Sequence, residues 1–225
     1  MAQETIDPGE VRFFSGSSNL QLAADIAAHL GLPLDKTNVS RFSNDCLHIQ
    51  LGASVRSRSV FIVQSLTPPV NDHLMELLMM LDIAVSAAAK EIHAIIPYYS
   101  YARSDKKDAP RISITGRLVA DLLRTAGATH VMTMMLHSPQ VHGFFSVPTD
   151  PLSSRPVFRH HFQQHDLSDA IVVAADMGHA KSAARFAGEL GLPVAAGNKE
   201  RISDTEVRLN GIVGQQVYDC KRALV

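Results

Sequence analysis

Residues 132–145, MTMMLHSPQVHGFF, join an apolar run to a polar Ser-Pro-Gln turn. The apolar part is typical of a buried strand, and His137 stands at its end. In open α/β sheets, ligands bind beyond the carboxyl ends of the strands, where a neutral imidazole can coordinate a metal or hydrogen-bond to a phosphate. A histidine that only caps the strand fits the same pattern. The rest of the chain has to decide between the two interpretations.

Strand patterns alternate with helix patterns on both sides of this stretch. Apolar runs predict strands, and a 3.6-residue periodicity predicts helices. The predicted strands cover residues 11–15, 47–51, 60–64, 92–97, 170–175, 192–196, 207–213 and 222–225; the predicted helices cover 20–30, 74–89, 115–125 and a segment that ends at 190. A polar loop is expected to begin at 197–201. The alternation predicts the α/β class, with parallel sheets flanked by helices.

Three prolines between residues 148 and 156 interrupt the periodicity. They predict a domain boundary, with one domain at 1–150 and a second, incomplete one at 151–225. The net charge of -1 excludes a strong overall attraction to nucleic acid or to an anionic membrane. The apolar runs are shorter than the about 18 residues of a membrane span, and residues 1–10 lack a signal-peptide pattern. Two distant cysteines, Cys46 and Cys220, favour a cytoplasmic protein with reduced thiols.

Four polar clusters follow predicted strands or lie between them. In the first, residues 42–46, Phe42 can stack on a base and Asn44 can read its edge, although an ordinary turn has the same composition. The second, residues 103–107, carries three cations that can bind phosphate oxygens, and a solvated surface is the alternative. Any affinity for phosphate must come from such local groups, because the chain as a whole is nearly neutral.

The third cluster, Asp176-x-Gly-x-x-Lys181, lies at a strand-to-helix turn. A carboxylate there can hold Mg²⁺, and the helix N-terminus favours a polyphosphate. The fourth is Lys199-x-Arg201, two cations that can stabilise a transferring phosphoryl group, or else solvated loop charges. Neither a Walker A loop nor a Gly-x-Gly-x-x-Gly fingerprint is present, which excludes the common nucleotide-binding motifs.

Together these stretches resemble the ribose-phosphate pyrophosphokinase (phosphoribosyl pyrophosphate synthetase) family. The matching text is FSND, VFIVQS, NDHLMELLMMLD, PYYSYARSDKKD, LVADLLRTAGATHV, LHSPQVHGFFSVP, DMGHAK and NKER, in the family's order. The resemblance implies two phosphoribosyltransferase-like α/β domains of type I, assembled into dimers or hexamers. It also implies the reaction, in which the diphosphoryl group of ATP moves to ribose 5-phosphate with Mg²⁺ present. Neither nucleic acid nor a membrane is expected as a partner.

Site residues follow from the resemblance position by position. The ATP-binding residues would be Phe42, Asn44, Cys46, Arg103, Ser104, Asp105 and His137. Mg²⁺ would lie between His137 and Asp176, and Lys199 and Arg201 would be catalytic. The diphosphate would contact Asp176, Gly178, Lys181 and Arg201. Ser54 and Arg56 match a region that forms an allosteric phosphate or ADP site in many members.

The chain departs from the family pattern at several positions. Cys46 replaces a glutamate, Ser104 a glutamine, Met135 an aspartate and His179 a glycine. The chain ends at Val225, where the family continues into the loop that binds the 5-phosphate of ribose, so a truncated product or a partial record of a longer chain is expected. These departures leave an alternative, a non-catalytic subunit that binds nucleotide or partner subunits. A phosphoribosyltransferase is a third interpretation, but it would need the same loop.

Overall fold

The computed structural model describes residues 7, 9–201, 207–214 and 220–225, without the side chains of residues 199–201, 207 and 209. The chain divides into two compact units, residues 1–153 and 154–225. The sequence places the boundary at 150, which falls inside a short strand of the first unit, Thr149–Leu152. This strand is absent from the prediction because its proline and its exposed residues hide the apolar pattern of a strand.

A five-stranded parallel sheet forms the centre of the first unit. Its strands are β1 (Val11–Ser15), β4 (Ser59–Val63), β5 (Glu91–Ile96), β6 (His130–Met134) and β7 (Thr149–Leu152), in the order β1-β4-β5-β6-β7. A two-stranded antiparallel hairpin, β2 (Thr37–Arg41) and β3 (Leu47–Leu51), is inserted between β1 and β4. Because the large sheet is parallel, the carboxyl ends of its strands meet at one edge.

Three helices connect the strands of the first unit. They are α1 (Leu20–Leu30), α2 (Val70–Ser86) and α3 (Thr115–Thr125). The Asn19 side chain caps α1 by accepting a hydrogen bond from the Leu22 amide, and Gly31 ends the helix at a φ of 67°. The predicted start of α2 at residue 74 is wrong by one turn. The first turn, Val70 to His73, is mostly polar, so the apolar periodicity begins only at Leu74.

Alternating residues of the strands face two separate apolar clusters. Phe14, Ile62 and Ile96 belong to the larger cluster, which also takes Leu77 and Leu81 from α2. The smaller cluster includes Phe13 and Val63 from the strands and Ala23, Ala27 and Leu32 from α1 and its end. The period of two in a strand sends neighbouring residues to opposite faces, so the sheet is packed on both sides.

The second unit contains a four-stranded sheet with the order β10-β9-β8-β11. Its elements are α4 (Arg155–Phe162), β8 (Ala170–Ala174), α5 (Ala180–Leu190), β9 (Val194–Arg201), β10 (Val207–Val213) and β11 (Arg222–Leu224). The polar loop predicted at 197–201 is wrong, because these residues continue β9 and pair with β10. That pairing is antiparallel, whereas β8 pairs in parallel with β9 and with β11. Residues 197–201, Gly-Asn-Lys-Glu-Arg, contain no apolar side chain, so this stretch lacks the apolar pattern of a core strand.

The α/β fold class predicted from the sequence is confirmed by both sheets. Within the described ranges, no helix is long and apolar enough to cross a membrane.

Candidate functional site

An open cavity lies at the carboxyl end of β5. It has a volume of about 690 Å³ and separates the first turn of α2 from the short 3-10 helix Ser100–Arg103. Its lining consists of Pro69, Val70, Asn71, Asp72, Tyr98, Ser100, Tyr101 and Arg103. Aromatic rings and a guanidinium beside the start of a helix suit a ligand that carries both a flat ring and an anionic group.

Some polar groups around this cavity have hydrogen-bond partners, and others have none within the described residues. The Tyr101 hydroxyl donates a 2.6 Å hydrogen bond to Asn71 Oδ1 and so ties the 3-10 helix to α2. The buried Ser100 Oγ has no hydrogen-bond partner in the part of the chain that the structure describes. No side chain caps the N-terminus of α2. The wall of the cavity therefore offers the backbone amides at the start of α2 to a polar ligand.

Asp105 joins the loop after β5 to the loop after β6. The Ser138 hydroxyl donates a 2.6 Å hydrogen bond to Asp105 Oδ2, and Gln140 Nε2 lies 3.5 Å from the same oxygen. The hydrogen bond from Ser138 lowers the pKa of Asp105, and the neighbouring His137 acts in the same direction. The carboxylate is consequently ionised at neutral pH. Its hydrogen-bond donor, Ser138, directly follows the strand-end histidine, His137, in the chain.

His137 lies just beyond β6, as the sequence predicts. The chain turns at Met135, whose φ of 53° is in the left-handed region and whose amide donates to the Leu152 carbonyl at 3.0 Å. Leu136 packs against the core, and His137 is exposed. Methionine thus occupies a backbone conformation that favours glycine or asparagine, and this turn directs the following residues away from the sheet.

The tip of the β2–β3 hairpin carries the first predicted cluster. Phe42 is 57% exposed and meets the His48 ring edge-on at a centroid distance of 5.2 Å. Asn44 Oδ1 accepts from the Cys46 amide at 3.2 Å, which is the local bond of an Asx turn, and both residues are exposed. The ordinary-turn interpretation is therefore satisfied, while the Phe42 ring stays accessible.

An arginine anchors this hairpin to α2. Arg41 bonds to Asp45 at 2.9 Å and to Asp72 at 2.7 Å, and Asp72 also lines the cavity. Phe42, Asn44 and Cys46 are not among the cavity-lining residues. The structure thus brings Arg103, Asp105 and His137 into adjoining loops, whereas the hairpin is linked to the cavity by the bond from Arg41 to Asp72.

Ser104 uses its hydroxyl within its own loop. Ser104 Oγ donates to the Ser113 carbonyl at 3.1 Å and accepts from the Thr115 amide at 3.0 Å. Ser54 and Arg56, the predicted allosteric residues, are exposed between β3 and β4. The Ser54 carbonyl accepts a 3.1 Å hydrogen bond from Arg12 Nε, which fixes the backbone of that loop.

Asp176 in the second unit directly precedes a turn that leads into α5. Its Oδ1 accepts from the His179 amide at 3.1 Å, and His179 Nδ1 lies 2.9 Å away. The hydrogen bond from His179 lowers the pKa of Asp176. Gly178 and Lys181 are exposed on the same turn and at the start of α5. The predicted strand-to-helix turn is confirmed, and the His179 ring bonds to the carboxylate.

The remaining predicted residues are Lys199 and Arg201. Their backbone lies in β9, and their side chains fall outside the described part of the chain. His137 and Asp176 belong to different units, each described by itself. Across residues 9–198 and the other described side chains, no group of three histidine, cysteine or acidic residues is close enough to hold a metal ion.

A buried polar network at the ends of β1 and β4 is absent from the sequence prediction. Glu76 accepts from the Ser17 amide at 2.8 Å, from the Ser17 hydroxyl at 2.6 Å and from Gln64 Nε2 at 3.0 Å. Gln64 Oε1 in turn accepts from the amide and the hydroxyl of Ser18 at 3.1 and 2.7 Å. The available signal is an isolated glutamate in an otherwise apolar stretch of α2, together with the Gly-Ser-Ser turn after β1.

Strand-end polar loops on a parallel sheet define a class, the α/β proteins that bind ligands at the carboxyl edge of a sheet. Residues 11–127 match the model of the N-terminal domain of ribose phosphate pyrophosphokinase. The chain belongs to the ribose-phosphate pyrophosphokinase family.

Individual relatives agree with this assignment. A Streptomyces coelicolor protein is 57% identical over 205 residues, which make up 91% of this chain and 65% of that protein. A ribose-phosphate pyrophosphokinase of Deinococcus radiodurans is 52% identical over 203 residues, or 89% of this chain and 63% of the relative. The crystal structure of phosphoribosylpyrophosphate synthetase from Mycobacterium smegmatis is similar with a TM-score of 0.82 at 35% identity, covering 91% of this chain and 67% of that one. The chain therefore spans just under two thirds of the length of these two curated relatives.

Proposed function

We propose that this chain acts as a ribose-phosphate diphosphokinase, which transfers the diphosphoryl group of ATP to ribose 5-phosphate and forms phosphoribosyl pyrophosphate and AMP. The observation that carries the proposal is the 2.6 Å bond between Ser138 and Asp105, in a chain of this family. It joins the loop after β5 to the loop that bears His137. A guanidinium, a carboxylate and an imidazole are then available to one nucleotide at the edge of the sheet.

ATP is assigned to this edge in the proposal. Arg103 would bind phosphate oxygens through its fork of N–H groups, and the exposed Phe42 ring would stack on the base. Asn44, Cys46, Asp105 and His137 are also assigned to ATP, and Ser104, the remaining residue of the predicted set, bonds within its own loop. Cys46 and Asn44 are both exposed, so their side chains are accessible to a base.

Mg²⁺ is assigned to His137 and Asp176. A carboxylate oxygen is the kind of ligand that this cation prefers, and the lowered pKa of Asp176 keeps the group ionised. When bound, Mg²⁺ would neutralise part of the charge of the polyphosphate. His179 competes for the same carboxylate at 2.9 Å, so the chain's own residues bear on how readily Asp176 accepts a cation.

The diphosphoryl group is assigned to Asp176, Gly178, Lys181 and Arg201, with Lys199 and Arg201 as the catalytic cations. Exposed Gly178 and Lys181 stand where α5 begins, and a helix N-terminus favours a polyphosphate. Two cations beside the transferring group would stabilise the charge of its transition state. An allosteric role of Ser54 and Arg56, a homo-oligomeric assembly and a cytoplasmic location stay predictions.

The test is release of AMP from ATP, measured on the protein expressed from its own uninterrupted gene with and without ribose 5-phosphate. We expect AMP release that requires ribose 5-phosphate. ATP binding without AMP release would overturn the enzyme proposal in favour of the regulatory subunit, and the intact mass of the same preparation shows whether it equals 24.5 kDa.

Lys199→Ala tests the catalytic assignment. We expect turnover to fall by about 100-fold while ATP binding is largely kept, because the charge acts on the transition state. Lys90→Ala, at an exposed position before β5, is the control and should leave turnover unchanged. Weaker ATP binding with unchanged turnover at saturation would contradict the role.

A further inference from the structure

A single residue closes the loop that carries the basic cluster. This loop, residues 105–114, connects the 3-10 helix Ser100–Arg103 to α3 and is called here the basic loop. Ser104 Oγ donates to the Ser113 carbonyl and accepts from the Thr115 amide. The Ser104 carbonyl also accepts from the Gly116 amide at 3.1 Å. Three hydrogen bonds centred on Ser104 thus join the two ends of the basic loop.

The same hydroxyl performs the function of a helix cap. Ile114 is the N-cap residue of α3 and has no side chain that can accept a hydrogen bond. The first N–H groups of a helix lack partners inside the helix, so they need acceptors from elsewhere. Ser104 Oγ supplies one to Thr115, the first residue of α3, from eleven positions upstream. Closure of the basic loop and the start of α3 therefore depend on one residue, through its hydroxyl and its carbonyl.

The base of the loop is packed tightly around Gly116. A Cβ atom on Gly116 would lie 3.1 Å from the Tyr101 carbonyl oxygen and 3.2 Å from that of Ser104. The Tyr99 hydroxyl donates a 2.7 Å bond to the Gly116 carbonyl. Tyr99 is buried, and burial raises the pKa of its hydroxyl, so it remains a protonated donor. The ends of the loop are consequently held on a rigid support.

A second serine holds the first residue of the basic loop. Ser138 is the N-cap residue of the 3-10 helix Pro139–Phe144, but its side chain makes no capping bond to that helix. Its hydroxyl instead reaches Asp105, which is 33 positions earlier in the chain. Asp105 is therefore held by Ser138 and directly follows Ser104, whose own hydrogen bonds fix the base of the loop.

We propose that Ser104 and Ser138 are positioning residues, which hold the basic loop in place before a nucleotide binds. Ser104 closes the loop, and Ser138 sets the Asp105 carboxylate beside His137. Ser104 acts in this way instead of contacting ATP directly. The role in nucleotide binding rests on the proposed function, whereas the ordering of the loop can be measured without any nucleotide.

Amide hydrogen exchange in the unliganded chain, followed by NMR, tests Ser104. In Ser104→Ala the Thr115 amide loses its acceptor, and we expect its exchange to become faster by about 3- to 10-fold, the range for one net hydrogen bond. Ser104→Thr keeps a hydroxyl and should restore slow exchange. Ser146→Ala is the matched control, because Ser146 is an exposed serine after β6 whose hydroxyl accepts a long, 3.4 Å hydrogen bond from Arg124. Unchanged exchange in Ser104→Ala would overturn the proposal.

Titration of the Asp105 carboxyl by NMR tests Ser138. The pKa of Asp105 should rise in Ser138→Ala, because the hydrogen bond that favours the ionised form is lost, and it should return in Ser138→Thr. A variant that only disturbs packing elsewhere would not move this pKa. An unchanged titration in Ser138→Ala would overturn the role of Ser138.

Binding of ATP with Mg²⁺, measured by calorimetry, tests the consequence for a ligand. Loss of preorganisation should weaken ATP binding about 3- to 10-fold in each alanine variant. Weaker binding in Ser104→Ala with unchanged Thr115 exchange would show a direct ATP contact and overturn the positioning role. If the wild-type chain binds ATP but releases no AMP, the proposed function fails, while exchange, titration and binding still decide this inference.

Discussion

Two polar clusters stand at the same edge of the first sheet, and they differ in exposure. The cluster at the ends of β1 and β4 is centred on Glu76, which is 2% exposed, and on Gln64, which is 0% exposed. The cluster beyond β5 and β6 is centred on Asp105 and Ser138, with exposed Arg103 and His137 beside it. Both contain a carboxylate that accepts a hydrogen bond from a serine.

The difference lies in where the remaining hydrogen-bonding capacity goes. In the buried cluster, Glu76 accepts three hydrogen bonds from Ser17 and Gln64, and Gln64 accepts two more from Ser18. In the open cluster, the charged side chains face solvent and a cavity. A closed network of buried polar groups stabilises the fold, and an open one leaves its groups to a ligand. We therefore expect substitutions in the first cluster to lower stability and those in the second to lower ligand affinity.

Glu76→Ala should have the largest effect on stability. It removes the acceptor of the Ser17 amide and hydroxyl and one of the two acceptors of Gln64 Nε2, which keeps its bond to the His73 carbonyl, so we expect the free energy of unfolding to fall by about 3 kcal/mol. Urea denaturation followed by circular dichroism measures this change. Glu10→Ala, at an exposed position before β1, should change it by less than about 0.5 kcal/mol. Equal effects of the two variants would remove the distinction between the clusters.

Gly16→Ala should have the second largest effect on the free energy of unfolding. A Cβ atom at residue 16 would lie 2.3 Å from Gln64 Oε1, and Gln64 cannot move without breaking its bonds to Ser18 and Glu76. We expect a loss of about 2 kcal/mol, as in an overpacked core. Gly143→Ala is the control, because no atom lies within 4 Å of its added Cβ. A neutral Gly16→Ala in the same denaturation assay would show that the buried network is loose.

Arg103→Ala should affect binding without affecting stability. Arg103 is exposed, and loss of a charge-assisted hydrogen bond to phosphate should weaken ATP binding about 10-fold. Calorimetric titration with ATP and Mg²⁺ measures the affinity, and thermal unfolding of the same sample should stay within about 0.5 kcal/mol of wild type. Lys90→Ala, at the opposite end of β5, serves as the charge control. If the variant were destabilised but bound ATP normally, Arg103 would serve stability, as the buried cluster of Glu76 and Gln64 does.

The smallest expected effect is the contribution of His93 to the pH dependence of stability. His93 is half-buried in the same sheet. Its ring stacks on Phe61, and its Nδ1 lies 3.0 Å from His130 Nδ1. Burial lowers the pKa of His93, and the nearby His130 lowers it further, while Glu91 opposes the shift. Below the ordinary pKa of 6.5 the unfolded chain binds more protons than the folded one, so stability falls as the pH falls from about 6.5 toward the lower folded pKa.

His93→Phe should make this pH dependence shallower, because it keeps a ring on Phe61 and removes the titrating group. The free energy of unfolding measured at several pH values between about 7.5 and 5 checks the slope. His29→Gln, at an exposed position near the end of α1, should leave the slope as it is. A steeper slope in His93→Phe would show that the sign of the His93 contribution is wrong.

Much of the fold could be predicted because the core elements have strong local patterns. Both α1 and α3 have the predicted bounds, and β1 and β3 do as well. The errors in the strands share one cause, since β2, β7 and the second half of β9 are rich in polar residues and are stabilised by pairing with a neighbouring strand. Strand pairing is a long-range property, and no local periodicity predicts it for a polar segment.

The sequence predicts which polar residues lie at the strand ends, but it does not predict their hydrogen-bond partners. The sequence places Asp105 and His137 in separate loops, and only the parallel pairing of β5 with β6 brings these loops together. Ser104 is predicted as a position in an ATP-binding stretch, whereas its bonds to Ser113 and Thr115 depend on how the basic loop closes. The role of Glu76 is hidden for the same reason, because Ser17 precedes it by 59 positions.

By itself, the sequence determined the α/β class, the family and the polar residues available at the strand ends, because each is encoded in local composition, periodicity and motif order. Tertiary structure decided which of those residues are closed into a buried network and which stay open to a ligand. Burial and hydrogen-bond partners arise from segments that are distant in the chain and meet only when the sheet is assembled. For this reason two serine–carboxylate pairs that look alike in the sequence have different expected roles in the folded protein.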